Sequence, residues 1–292
     1  MARSAAVFLN EGAGSARTDR VRRAVALARS ALDADLHVIA TRDIDELAAW
    51  MGERIDGYTT AIIAGGDGSL GVAYNVVAAR GGPTLGYLPA GFGNATRHLL
   101  RLPPTPEGLV EVLAAGDARP IDLVAIDGRL ALFAGAGWDA IVAGRYADAG
   151  ARRLPGWASA VARSLPDLWR RPRVEIRADG WVAHRGPIEL VAIGTTPFYG
   201  RGLQVNPGAR PDAGLMAMRV YPGPAPRLAV EAARWALRVK PDAERIDARR
   251  IELHAMDGDL IPVQADGDVI DARSSWSFEI RPAAVRLIGR WA

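Results

Sequence analysis

Along the first 125 residues, short apolar runs alternate with stretches of helical spacing. Ala5–Leu9 reads as a strand and Arg17–Ala31 as a helix. His37–Thr41 is a second strand, with a helix near Asp43–Met51. Tyr58–Ala64 is a third strand, followed by a helix over Leu70–Ala79, and Thr84–Leu88 is a fourth strand. Strands separated by helices predict a parallel sheet with helices on both faces. After about residue 125 strand-like runs dominate: Leu130–Ala134, Val174–Arg177, Ile188–Ile193, Leu215–Tyr221, Ile251–His254, Ile261–Gln264 and Ser277–Ile280. Turn residues between them predict a second, mainly antiparallel β domain. Helical segments near Pro155–Trp169 and Pro226–Val239 interrupt it. The expected division is an α/β domain over 1–125, a β-rich domain over 126–283, and a final segment, 284–292, whose run Val285–Ile288 returns to the first domain.

Composition narrows the picture. The 292 residues are 49% hydrophobic and include no cysteine, which excludes disulfides and thiolate metal sites. The apolar run at the N-terminus is too short for a signal-peptide core, and no segment has the length of a membrane span. A cytoplasmic protein is expected. The net charge is +3, with arginine dominating the positive side. Arginine suits phosphate, carboxylate and lipid headgroups. No nucleic-acid partner is expected, no oligomeric state is specified, and the four histidines lack the H-x-x-x-H spacing of a zinc site.

The candidate chemistry sits where apolar runs end in glycine. In AIIAGGDGSLGVAYNVV (61–77) an apolar strand stops at Gly-Gly-Asp-Gly-Ser and a helical pattern follows. Gly66, Gly68 and Gly71 satisfy G-x-G-x-x-G, but no acid occurs between Asp67 and Glu107 to hold a ribose. Ser69 in Asp-Gly-Ser-Leu-Gly approximates a nucleophile elbow, with His184 and His254 as candidate bases. The third reading is a phosphate cradle, in which glycine N–H groups and a helix start converge on an anion. A tight turn that merely needs glycine is the plain alternative. Two further stretches favour the cradle: LGYLPAGFGNATRHL (85–99), with a second glycine turn, and VQADGDVI (263–270), a strand running into Asp-Gly-Asp.

Together AGGDGS, PAGFGNA and ADGD resemble the diacylglycerol kinase catalytic-domain family, which includes sphingosine, ceramide and bacterial lipid kinases and is related in fold to NAD kinases. NEGAGS near residue 10, AGAGWDAIV (134–142) and NPGARPDAGLMAM (206–218) extend the resemblance across nearly the whole chain. It implies an α/β domain followed by a β-sandwich domain, and an ATP-dependent kinase of a diacylglycerol-like or sphingoid-like lipid. Gly65, Gly66, Asp67, Gly68 and Ser69 would hold the ATP phosphates, with Asp67 engaging Mg2+ or the incoming hydroxyl. Asn10 and Thr41 match nucleotide-contacting positions, and Gly91, Gly93 and Asn94 belong to the second glycine motif. Asp268 takes the place of the family's general-base glutamate.

The chain departs from that pattern at several points. Phe92 and Ala95 replace the threonine and aspartate of the second motif, and Ala213 stands where some bacterial members place a metal-binding aspartate, leaving Asp212 as the candidate. Alternatives are an NAD-kinase-like enzyme with a soluble substrate, a serine esterase using Ser69, and a nucleotide-binding protein without catalysis. Asn94 has a simpler reading as a helix cap, and Asp268 as a turn acid. Residues 145–173 carry seven arginines, two aspartates, Trp157 and Trp169. Such a segment suits peripheral contact with an anionic membrane surface at the inner face, or a surface helix packed on the β domain.

Overall fold

The computed structural model describes residues 3–148 and 154–291. They form two compact units, one running to Ile121 and resuming at Ala283, the other spanning Asp122–Pro282. Among the described residues no helix is long and apolar enough to cross a membrane.

The first unit alternates β1 (Arg3–Asn10), α1 (Asp19–Leu32), β2 (Asp35–Ile39), α2 (Ile44–Gly52), β3 (Tyr58–Gly65), α3 (Asp67–Arg80) and β4 (Thr84–Pro89). The strands pair in parallel in the order β2-β1-β3-β4. Ala6, Val7 and Phe8 on β1 and Ala61 to Ala64 on β3 are fully buried, as continuous apolar strands are when both faces are covered. The register brings the strand ends level: Asn10 lies opposite Ile39, Leu9 opposite Ala64, and Gly65 opposite Pro89. The loops that follow β1, β2, β3 and β4 therefore share one rim. Two short helices that the apolar pattern did not predict come next, α4 (Ala95–Leu99) and α5 (Pro106–Ala115). The second carries a legible start signal, since Thr105 caps Gly108 N at 3.3 Å and Pro106 takes the first position.

The chain enters the second unit along β5 (Ala118–Ile126). There follow β6 (Arg129–Ala131), β7 (Phe133–Gly137), α6 (Trp138–Asp148), α7 (Leu154–Ser164), β8 (Arg173–Ala178), β9 (Trp181–Pro187), β10 (Leu190–Gly194) and β11 (Met216–Tyr221). Then come α8 (Ala225–Leu237), β12 (Arg245–Ala248), β13 (Arg250–Ala255), β14 (Ile261–Ala265), β15 (Asp268–Arg273) and β16 (Ser275–Ile288). One antiparallel sheet runs β12-β11-β10-β7-β14-β15; in the other, β16 pairs with β13, β13 with β8 and β8 with β9. Ala136, Ile193, Met218 and Val263 from the first sheet share a core with Ile176, Leu253 and Phe278 from the second, which makes this unit a β-sandwich. The later part of β16 belongs to the first unit, where Leu287 pairs in parallel with Leu85 on β4.

Three hairpins in this unit use the same two-residue turn. Asp127-Gly128, Asp179-Gly180 and Asp266-Gly267 all have positive φ, and the flanking pairs are Ile126↔Arg129, Ala178↔Trp181 and Ala265↔Asp268. Asp-Gly is favoured there because both central residues of a type I′ turn need the left-handed region. Leu130–Ala134, expected as one strand, is split between β6 and β7 at Leu132. The cause is Asp266, a buried carboxylate that accepts Leu132 N at 3.0 Å and Phe133 N at 3.1 Å.

Candidate active site

At the rim of the first unit, Asn10 is the junction. Its Oδ1 accepts Gly12 N at 2.9 Å and Thr41 N at 3.3 Å, while its Nδ2 donates to Ser69 Oγ at 3.3 Å. Asn10, Thr41 and Ser69 are all buried, and the Thr41 hydroxyl bonds Glu46. The first loop is also tied to the fourth-strand loop, since Ser15 N and Oγ both donate to Ala90 O, at 2.7 and 2.9 Å. Ala90 N in turn donates to Gly65 O at 2.7 Å.

The two glycine motifs meet directly. A Cβ on Gly91 would lie 2.5 Å from Gly66 Cα, and one on Gly66 would lie 3.2 Å from Gly91 Cα. The missing side chains therefore let one loop's backbone rest on the other's. Asp67 completes the link: its carboxylate accepts Ala95 N at 2.8 Å and Thr96 N at 3.1 Å, capping α4 from the neighbouring loop. Asn94 is at the N-cap position with φ 48°, yet its side chain makes no cap bond. It folds back instead, accepting Gly91 N at 3.0 Å and Tyr87 Oη–H at 2.9 Å and donating to Gly91 O at 2.8 Å. The plain alternative for Asn94, a helix cap, is thus not met, and Asp67 caps α4 instead. Gly68 lies in the first turn of α3 and Gly93 in the turn before α4.

Residues 4–126 match the family model for the diacylglycerol kinase catalytic domain, and residues 133–289 match that for the YegS C-terminal NAD kinase beta sandwich-like domain. The chain belongs to the diacylglycerol kinase catalytic-domain family. A protein named "probable lipid kinase YegS" from Escherichia fergusonii is 26% identical, over 93% of this chain and 92% of its own. A "probable lipid kinase YegS-like" protein from Pseudomonas aeruginosa is 28% identical, over 92% and 89%. Among solved structures, a diacylglycerol kinase from Bacillus anthracis superposes with TM-score 0.73 at 17% identity, covering 98% of this chain and 97% of that one. An NAD kinase from Archaeoglobus fulgidus in complex with ATP superposes with TM-score 0.55 at 15% identity, over 99% and 94%. Both share the fold.

In this member of the family, the serine-nucleophile alternative meets a geometric objection. Ser69 lies inside α3 and is absent from the positive-φ residues, whereas a nucleophile elbow holds its serine on a strained turn. The candidate residues of the second unit fall in two places. Asp212 is held by Arg210 through two contacts of 3.0 Å. Asp268 starts β15 directly after the Asp266-Gly267 turn, with Arg129 Nη2 3.8 Å from its Oδ2. The turn acid is therefore Asp266, not Asp268.

Sequence reasoning passed over Gln264 and Tyr199, and showed Asp139 only within AGAGWDAIV, without its link to this hairpin. Buried Gln264 accepts Gly267 N at 2.8 Å and donates from Nε2 to Asp139 Oδ2 at 3.1 Å. The Asp139 carboxylate is packed on Gly135, where an added Cβ would lie 1.6 Å from Oδ2. Desolvation pushes the Asp139 carboxyl up from 3.8 to about 7, against the opposing pull of Gln264 and the Ala140 amide. Tyr199, whose hydroxyl bonds Ala134 O and accepts Ile193 N, is raised well above its ordinary value, first by burial and then by Asp139. The spacing Gln264-x-x-Gly267 held the one available signal, a polar residue in an otherwise apolar strand before the turn.

The Asp139 shift has a measurable consequence. A carboxyl raised in the folded state binds its proton more tightly there than in the unfolded chain, so stability falls as pH rises from about 4 to about 7. At about 1.4 kcal/mol for each tenfold change in proton affinity, the ionised form costs at most about 4 kcal/mol. Asp139→Asn keeps an acceptor for Gln264 and removes the charge. The variant is expected to melt about 5 °C above the parent at pH 8 and to lose the advantage at pH 4. Calorimetric scans across that range check it, and parallel pH profiles for the two proteins would refute it.

Proposed function

We propose that this protein is an ATP- and Mg2+-dependent kinase that phosphorylates a hydroxyl of a diacylglycerol-like or sphingoid-like lipid. The observation that carries the reading is the junction at one sheet rim, where the start of α3 and three loops are fastened together by Asn10 and Asp67. Relatives named as lipid kinases, similar over most of their length, support the acceptor class.

The residues present suit a triphosphate. Gly66 at the N-cap of α3 has no side chain to satisfy the first-turn amides, so these and the positive helix end favour an anion. Ser69 receives a hydrogen bond from Asn10 and keeps its own proton to donate. They also suit a hard cation. The Asp67 carboxylate, which accepts the Ala95 and Thr96 amides, is a hard oxygen donor of the kind Mg2+ takes. Among the described residues no group of three His, Cys, Asp or Glu side chains is placed to hold a metal. A Mg2+ held by one carboxylate and the phosphates needs no such cage, and when bound it would neutralise phosphate charge. The lipid oxygen then bonds to the γ-phosphorus as the β,γ-bridging P–O bond breaks. ADP departs with the bridging oxygen, and Asp268 takes the hydroxyl proton.

Access to lipid is assigned to residues 145–173. Trp157, Leu165 and Trp169 are 37, 51 and 75% exposed beside Arg163 and Arg170. Residues 149–153 of this segment lie outside the described residues.

Incubation with γ-labelled ATP, Mg2+ and a panel of diacylglycerols, sphingoid bases and NAD tests the proposal. Label is expected in a lipid, to vanish with EDTA and to return with excess Mg2+. Label in NAD alone, or ATP-independent ester hydrolysis abolished by Ser69→Ala, would overturn it.

A further inference from the structure

Helix α8 buries an acid and exposes an apolar stripe. Its buried stripe is Leu228, Glu231 and Trp235, so the one acid of the helix faces the protein. There Glu231 accepts Asp242 N at 3.1 Å and lies 3.9 Å from Arg234. The opposite stripe, at helical spacing from Pro226 through Val230 and Ala233 to Leu237, is exposed and carries no charge. Val230 is 54% and Leu237 75% exposed, and Val239 just beyond the helix is 49% exposed. A surface helix ordinarily turns its charges outward.

The groups bordering this stripe are mostly cationic. Arg227, Arg238 and Lys240 are exposed; Arg234 is paired with exposed Asp242 at 2.8 Å, and exposed Glu244 and Asp247 follow in the chain. The start of the helix is also tied to the segment assigned to lipid access. Arg171 hydrogen-bonds Pro222 O, two residues before the N-cap Pro224, and Trp169 precedes Arg171 by two residues.

We infer that the outward face of α8 is a docking surface for an anionic bilayer, with Val230 and Leu237 entering the headgroup boundary and Arg227, Arg238 and Lys240 facing lipid phosphates. An apolar face with basic flanks has the chemistry of an interfacial helix. The inference rests on the lipid-kinase reading for its choice of partner. It adds a second, helical contact to the tryptophan segment.

Co-sedimentation of the full chain with phosphatidylcholine vesicles, with and without phosphatidylglycerol, tests it. The double variant Val230→Glu/Leu237→Glu alters only exposed side chains, and its circular dichroism and melting temperature verify the fold. Its partition onto anionic vesicles is expected to fall at least about tenfold, as is that of Arg227→Glu/Arg238→Glu, and wild-type binding is expected to weaken with salt. Phosphorylation of a short-chain acceptor dispersed in water is expected to be unchanged. Undiminished vesicle binding by both double variants overturns the inference, as does wild-type binding that is absent or indifferent to anionic lipid. Self-association that the variants abolish while vesicle binding persists assigns the face to a second copy instead. If no lipid is phosphorylated but α8-dependent binding remains, the proposed reaction fails and the docking surface stands.

Discussion

The Asp268→Asn variant is expected to bind ATP as the parent does and to phosphorylate lipid about 10²–10⁴ times more slowly. The substitution leaves the hairpin intact. Backbone pairing with Ala265, the Gly267–Gln264 bond and the Asp266 bonds to Leu132 and Phe133 hold the position without using the Asp268 carboxylate. Asparagine keeps the shape and loses the capacity to take a proton. The deficit should therefore appear in kcat, with KM for ATP unchanged and the loss persisting at saturating lipid. Initial rates at varied ATP and lipid, beside calorimetric titration with a non-hydrolysable ATP analogue, measure both quantities. A variant within a few-fold of the parent removes Asp268 from the chemistry. Asp268→Glu restores the residue of the family pattern and is expected to remain active, because the added methylene extends reach at the first residue of β15.

Asp67→Ala is expected to combine two losses. The first is structural, since the α4 amides of Ala95 and Thr96 lose a charged acceptor. At about 1–3 kcal/mol for such a cap, the melting temperature should fall by roughly 3–8 °C. The second is functional. In phosphoryl transfer most acceleration comes from positioning and charge neutralisation, so activity should drop by on the order of 10²-fold or more. Asp67→Asn separates the two. Its carbonyl oxygen still accepts an amide, so most of the stability should return, while the loss of charge keeps activity low and raises the Mg2+ concentration needed for half-maximal rate. Thermal scans and Mg2+ titrations of both variants decide the matter. Full activity in Asp67→Asn would leave the residue as a loop fastener alone.

The parallel sheet of β1 to β4 was legible because buried strands between helices read as unbroken apolar runs. The antiparallel β domain was legible because its strands are short and punctuated by turns, whereas its closure into a sandwich was implied only by the family resemblance. Strand β9 was missed although Asp179-Gly180 announced it, since Trp181–Pro187 is largely exposed and lacks an apolar rhythm. The position of the glycine loops followed from local pattern, but their partners did not. Nothing near Gly66 signals that Gly91 lies against it, and nothing near Asp67 signals the amides of residues 95 and 96. These are contacts across 25 or more positions, set by strand register. The same holds for Asp139, which the segment AGAGWDAIV displayed without its link to Gln264.

The last strand has a consequence for the order in which the molecule is completed. Leu287 fills the place beside Leu85 on β4, so the first unit is finished by residues that follow the whole second unit in the chain. The sandwich, by contrast, is contiguous from Asp122 to Pro282. During synthesis the later half of the gene product can mature while the earlier half still waits, with the flank of β4 open, for its closing edge. Removal of the segment from Ala283 onward would therefore injure the unit otherwise built from residues 1–121.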